Sequence, residues 1–167
     1  MALFGVMLAT GAVRTSADVP GALAPPAGNV ETNRWYGIGF QIYTATRRTD
    51  DTTKFQWTLK APAATLYNGG GHVVGMHYAG PTWESDNGSK VVGAKIAAVN
   101  SPDATAIPWL LLKAVSHAGH GMFSDVTYVQ RLYTQGGKAP VDPPTEEGVE
   151  VSVPYTATYV FFEPAAE

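Results

Sequence analysis

Apolar and polar positions alternate along most of the chain. In "GIGFQIYT", Gly37 to Thr44, Ile38, Phe40 and Ile42 alternate with Gly39, Gln41 and Tyr43, the period-two pattern of a half-buried strand. The charged "RRTDDTTK" that follows reads as a solvated turn. Phe55, Trp57 and Leu59 then alternate with Gln56, Thr58 and Lys60 in a second strand. "YNGGGH", Tyr67 to His72, has the glycine content of a hairpin connection between two further strands. Val126 to Thr134 alternates again. In "VEVSVPYTATYVFF", Val149 to Phe162, one face carries Val149, Val151, Val153, Tyr155, Ala157, Tyr159 and Phe161. This is a long closing strand, with Pro154 marking a bulge or an edge because proline has no ladder N–H.

Two stretches depart from alternation. "KVVGAKIAAVN", Lys90 to Asn100, and Ile107 to Ser116 are more uniformly apolar, as expected of strands covered on both faces. Periodicity alone does not separate a strand from a short helix in "PWLLLKAVSHA", and the strand is the preferred reading. Asp18 to Asn33, rich in Pro, Gly and Ala, has no periodicity, and "QGGKAPVDPPTEEG" reads as a loop. The 18 glycines and 12 prolines cut the chain into short pieces that Val, Thr, Tyr, Phe and Trp fill, a composition suited to strands. A length of 167 residues fits one domain. The expectation is an all-β, single-domain antiparallel sandwich or barrel with long Gly/Pro-rich loops. It would occupy residues 34–167, behind a Pro/Gly/Ala-rich lead-in at 18–33 and an apolar segment at 1–17.

Charge narrows the range of partners. A net charge of −3, with eleven basic residues spread along the chain, supplies no patch able to displace counterions from a phosphate backbone, so nucleic acid is not an expected partner. The absence of cysteine removes disulfides, thiolate nucleophiles and cysteine-based metal sites. Ala2 to Val13, "ALFGVMLATGAV", has the length of a signal-peptide core, and Thr15-Ser16-Ala17 offers small residues for cleavage, although no Lys or Arg precedes the run. Export to a periplasmic or extracellular space is the expectation. The segment is then either removed or retained as a docking segment, and it is too short to span a bilayer as a helix, which takes about 20 apolar residues.

The blocks "QIYT", "WTLKAPAATLY", "AGPTWESDNGSKVVG", "IPWLLLKAVSHAGHGMF", "VTYVQRLYTQGGKAP" and "VPYTATYVFF" resemble, in this order, the bacterial and fungal secreted proteins known as domain of unknown function 3455. The resemblance runs from about Ala24 to Pro164 and implies an exported, largely β single domain. Cysteines that relatives carry near the first strand and after the GGKAP block are replaced here by Thr44-Ala45 and Val141-Asp142. Some fungal relatives bear a malate dehydrogenase label. A dinucleotide site needs a strand, a G-x-G-x-x-G turn opening a helix, and an acidic residue about 20 positions later. Neither "GIG" nor "NGGGH" provides that arrangement, so dehydrogenase activity is rejected, and no cofactor is expected.

Candidate chemistry centres on the histidines. His117 and His120, in "SHAGHG", could ligate a metal together with His77 and Glu84, a nitrogen and oxygen set suited to zinc. The plainer alternative is that His117 ends a strand and hydrogen-bonds backbone while His120 lies exposed. His77, Glu84 and His117 are also the candidates for a carboxylate–histidine acid–base site of a hydrolase or lyase. No G-x-S-x-G elbow accompanies them. "ESDNGSK" lacks the alternating carboxylates of a calcium loop and reads as a turn. Trp35, Tyr36 and Trp83 are candidates for stacking on a sugar or anchoring a partner, whereas Trp57 and Trp109 sit within apolar strand patterns and are assigned to the core.

The leading functional expectation is a non-catalytic exported module that docks on protein subunits of an envelope or membrane-associated complex. Small-molecule or glycan binding around Trp83, and a His/carboxylate hydrolase or lyase, are the alternatives. The enzyme alternative requires His77, Glu84 and His117 to converge.

Overall fold

Eight strands follow one another without a helix between them: β1 (Asn29–Arg47), β2 (Phe55–Tyr67), β3 (Val73–Tyr78), β4 (Thr82–Ser85), β5 (Lys90–Val99), β6 (Trp109–Ala118), β7 (Tyr128–Gly136) and β8 (Glu150–Pro164). The structure, a computed structural model, describes residues 18–166. The apolar segment expected at 1–17 lies outside the described residues. Each strand pairs antiparallel with the next, and β8 returns to β1, closing a barrel. The all-β expectation therefore holds in its barrel form, which leaves no free sheet edge along fully paired strands.

Part of the expected lead-in belongs to the barrel, because β1 begins at Asn29 and pairs with the end of β8 from there. Alternation places one set of residues inside. Along β1 these are Trp35, Gly37, Gly39, Gln41 and Tyr43, while Ile38 (52% exposed) and Phe40 (45% exposed) face outward. The apolar face expected of Ile38 and Phe40 is thus the outer one. The reason is the bulk that crosses the interior: a Cβ built on Gly37 would stand 2.6 Å from the Tyr159 ring. On the far wall, a Cβ on Gly93 would stand 3.1 Å from Trp83 and 3.2 Å from Leu112. Small residues on the inner face make room for large rings opposite, the alternation a small barrel needs to fill its interior.

β6 is covered on both faces only along Trp109–Leu112, while most of its second half is exposed. β5, expected to be covered in the same way, exposes Ala94, Lys95 and Ile96, because among the described residues no strand or loop packs over that stretch. Leu112 packs inward with Trp83, Val129 and Phe161, while Trp109 and Leu111 point outward into a second cluster with Leu132, Val160 and Phe162. That outer cluster is roofed by the segment before β1, whose short 3-10 turn Gly21–Leu23 buries Leu23 completely. The Gln130 side-chain amide donates to the Leu23 carbonyl at 2.7 Å and ties the roof down. Among the described residues no helix is long and apolar enough to cross a membrane.

One end of the barrel is plugged. The β6–β7 connection folds inward and buries Phe123 and Val126, with Phe123 edge-on to Trp35 (5.1 Å between centroids) and 4.8 Å from Phe161. The wall toward the other end is incomplete. β3 pairs with β2 only along Ala64–Tyr67, and β4 with β5 only along Lys90–Val92. Beyond the β3–β4 turn, no paired strand is present among the described residues between the first half of β2 and the second half of β5. Both strands border the same opening, which leads to an interior cavity.

Candidate functional site

The cavity has a volume of about 250 Å3. By the roughly 30 Å3 that a water occupies in the liquid, this is room for a small metabolite rather than a long chain. Its apolar lining comes from Leu59, Pro62, Trp83, Leu110 and Leu112. Its polar lining is Gln41, His77, Arg131 and Tyr159, with Lys60 and Lys95 at the opening.

Arg131 enters from β7, at an inward position between Leu110 of β6 and Tyr159 of β8. Its Nε–H and an Nη2–H both donate to the Pro108 carbonyl, at 3.1 and 2.8 Å. None of the ion pairs among the described residues involves it. Burial lowers its pKa from the ordinary arginine value, opposed by the phenols of Tyr159, Tyr155 and Tyr43 around it. A guanidinium nevertheless keeps its proton in a protein, so the barrel interior holds a positive charge.

Gln41, on β1, is 2% exposed, and its Nε2 completes no hydrogen bond of normal geometry, although its side chain lies close enough to the Tyr155 phenol to favour the phenolate. An unpaired buried amide carries a desolvation cost of about 1–3 kcal/mol, and this one lies on the cavity lining. His77, on β3, stacks on Trp83 with 4.5 Å between centroids and 17° between planes. Its Nδ1 lies 2.8 Å from the Thr82 carbonyl. Burial pushes its pKa down to about 3, with the Arg131 charge acting in the same direction and the Thr82 bond opposing both. The ring is therefore neutral near pH 7. Because a carbonyl only accepts, Nδ1 carries the proton and Nε2 is a bare acceptor. The Tyr155 and Tyr159 hydroxyls are hydrogen-bonded at 2.9 Å, and burial raises both phenol pKa values, so both keep their protons.

This set can bind but is poorly equipped to transfer protons. No carboxylate is among the described residues lining the cavity. A histidine with a pKa of about 3 is far from the near-neutral value that suits a general base.

Among the residues singled out in the sequence, His77 and Trp83 come together here. The others lie elsewhere. Glu84 occupies the outer face of β4, where it accepts from the Tyr78 hydroxyl at 2.6 Å and pairs with Lys90 at 3.1 Å. The register puts His77 opposite Trp83 and Met76 opposite Glu84, so His77 and Glu84 project from opposite faces of the sheet. His117, near the end of β6, donates from Nε2 to the Val126 carbonyl at 2.7 Å and fastens the plug. His120 is exposed in the turn that follows. The three residues of the acid–base alternative do not converge. No group of three or more His, Asp or Glu side chains placed to hold a metal ion occurs among the described residues. Trp35 packs in the plugged end, and its neighbour Tyr36 stands exposed on the outer face of β1. Trp109 is buried under the roof, while Trp57 is partly exposed and donates to the Asp142 carbonyl at 3.0 Å.

Sequence reasoning missed Arg131 and Gln41. A signal was present: in "VQRLY" the charge shares a period-two face with the apolar Val129 and the aromatic Tyr133. A cation in that position is either at a rim or inside for a purpose.

No curated protein and no solved structure gives a match to the chain. A protein family described as "Protein of unknown function (DUF3455)" matches residues 26–163, which takes in every strand from β1 to β8 except the last residue of β8. With all but one residue of its barrel inside that match, the chain belongs to the DUF3455 family.

Proposed function

We propose that this is a non-catalytic binding protein that holds a small organic molecule inside its barrel. The observation that carries the reading is the unpartnered, buried Gln41 amide on a cavity floored by Trp83 and reached through a break in the wall. Barrel mouths are preferred ligand sites, and such sites combine an apolar lining with a few convergent polar groups. Native mass spectrometry of protein purified from its own host tests this. The expected result is a bound mass of a few hundred daltons or less on the wild type that is absent from Leu59→Trp, which fills the opening at a half-exposed position. A wild-type protein that carries no ligand, and whose melting temperature is unmoved by a metabolite library, overturns it.

A second reading, docking on a protein subunit, has support of its own. Tyr36, Ile38 and Phe40 form an exposed apolar stripe on the outer face of β1, with Met76 exposed two strands away. Contiguous exposed apolar patches mark interaction surfaces. Its expected signature is a stoichiometric partner in native preparations that is lost from an Ile38→Lys/Phe40→Lys variant of unchanged melting temperature. Recovery of the same complex with that variant counts against it. Both readings are for an exported protein, which the apolar run Ala2 to Val13 supports.

A further inference from the structure

We propose that the cavity selects a compact organic carboxylate bearing an O–H or N–H group, with Arg131 and Gln41 receiving the carboxylate and His77 receiving the donor. This rests on the reading that the cavity binds a small molecule and adds the chemistry of that molecule.

Arg131 sits on the cavity lining without a carboxylate partner, and only Nε and Nη2 are engaged, both by one neutral carbonyl. The rest of its fork is uncommitted, and a guanidinium fork matches a carboxylate in bidentate geometry. A half-buried charge with no counter-charge still carries part of the desolvation cost of burial. Here the counter-charge is missing from a chain that is acidic overall, with 14 Asp and Glu against 11 Lys and Arg. Gln41 adds a second donor group, the unpartnered Nε2. At the opening, Lys95 lies on the inner face of β5 opposite Leu112 and takes part in none of the ion pairs of the described residues, whereas Lys60 is held by Glu150. The approach to the cavity is therefore positive.

Two features favour a carboxylate over a phosphate. One guanidinium and one amide supply few donors for the three oxygens and higher charge of a phosphoryl group. The bare Nε2 of His77, fixed as an acceptor by the Thr82 contact, repels a dianion and calls instead for an O–H or N–H. The apolar lining and the Trp83 ring leave the body of the ligand hydrophobic.

The test uses 4-hydroxybenzoate, indole-3-acetate and hexanoate, each against its primary amide. Binding is read by calorimetry and by the side-chain nitrogen signals of Arg131 in solution NMR. At least one acid is expected to bind about tenfold or more tighter than its amide and to move the Arg131 signals. The preference disappears in Arg131→Met and weakens in Gln41→Leu, with hexanoate, which lacks a donor, the weakest acid. If Arg131→Met does not fold, the wild-type Arg131 signals decide alone, since an acid that binds without moving them overturns the assignment. Acids and amides binding equally overturns the carboxylate inference while the cavity reading survives. If no compound of either kind binds, both fall.

Discussion

The plugged end of the barrel and its open side are built from the same strands but balance their polar groups differently. At the plugged end Phe123, Val126, Trp35 and Phe161 fill the interior, and two hydrogen bonds fasten the plug. His117 donates to the Val126 carbonyl, and the Ser89 hydroxyl accepts from the Phe123 N–H at 3.0 Å. At the open side Gln41 has an unpartnered amide, Arg131 has no carboxylate, and His77 presents a bare acceptor. Buried polar groups in native proteins are usually satisfied. Gln41 Nε2 and Trp83 Nε1, two of the buried unpartnered atoms among the described residues, belong to residues that line the cavity, while Trp109 Nε1 lies under the roof. The open side is therefore a region with interactions left to make.

The largest effect expected from this contrast is at the plug. Phe123→Ala removes a fully buried ring from between Trp35 and Phe161, and losses of about 3–5 kcal/mol are typical of such truncations. Denaturant unfolding followed by tryptophan fluorescence measures it. A loss below about 1 kcal/mol, no larger than that of an average point mutation, would mean that the plug is not a stability element. His117→Ala comes next. It removes a part-buried hydrogen bond to the Val126 carbonyl, for a cost of about 0.5–1.5 kcal/mol, and a loss that His117→Gln partly restores would confirm the hydrogen bond as the cause.

On the open side the expected signature is a pH dependence. His77 has a folded-state pKa of about 3 against an ordinary 6.5, chiefly because it is buried. Below pH 6.5 the unfolded chain takes up a proton that the folded chain refuses. The contribution is therefore complete above pH 6.5 and is lost as pH falls toward 3, at up to about 1.4 kcal/mol per pH unit. Carboxylates titrate over part of the same range, so the comparison is with His77→Gln, whose stability profile between pH 6.5 and 5 should be flatter than wild type. Parallel profiles would show that the ring is protonated in place and that its Nε2 is not the acceptor assigned to it.

How much of this contrast was readable in the sequence differs between fold and site. The strands and the all-β class follow from alternation, and the two-sided burial of Trp109–Leu112 was visible in the run "WLLL", whereas the apolar run of β5 gave the same signal and is largely exposed. The inversion of β1 was not. Which face of an alternating strand is inside depends on closure between β8 and β1, more than a hundred residues apart, and on the Tyr159 ring that Gly37 accommodates. The same ambiguity hid Arg131 and Gln41, since a polar residue on the inner face of a barrel has the spacing of one facing solvent. Trp83 and His77 could be noticed as chemistry-bearing residues, but their stacking needs the β3–β4 register. Glu84, one position along β4 from Trp83, the inward partner of His77, looked equally promising until the sheet separated their faces.

The smallest effect tests the contrast from the other direction. Leu59 is a large apolar residue on an inward-pairing position, opposite Tyr43, yet it is 50% exposed because the wall beyond β2 is missing. By residue type and strand position it belongs to the core, and a buried leucine truncated to alanine would cost about 2–5 kcal/mol. By its place at the opening it has little to lose, and Leu59→Ala should change unfolding free energy by no more than about 0.5 kcal/mol, as surface substitutions do. The same substitution should weaken binding of an apolar ligand, because it removes part of the lining without touching Arg131 or Gln41. Equilibrium unfolding and calorimetric titration on one preparation report both quantities. A core-sized stability loss would mean that the opening closes over Leu59 in solution, and the division between a plugged end and an open side would then have to be given up.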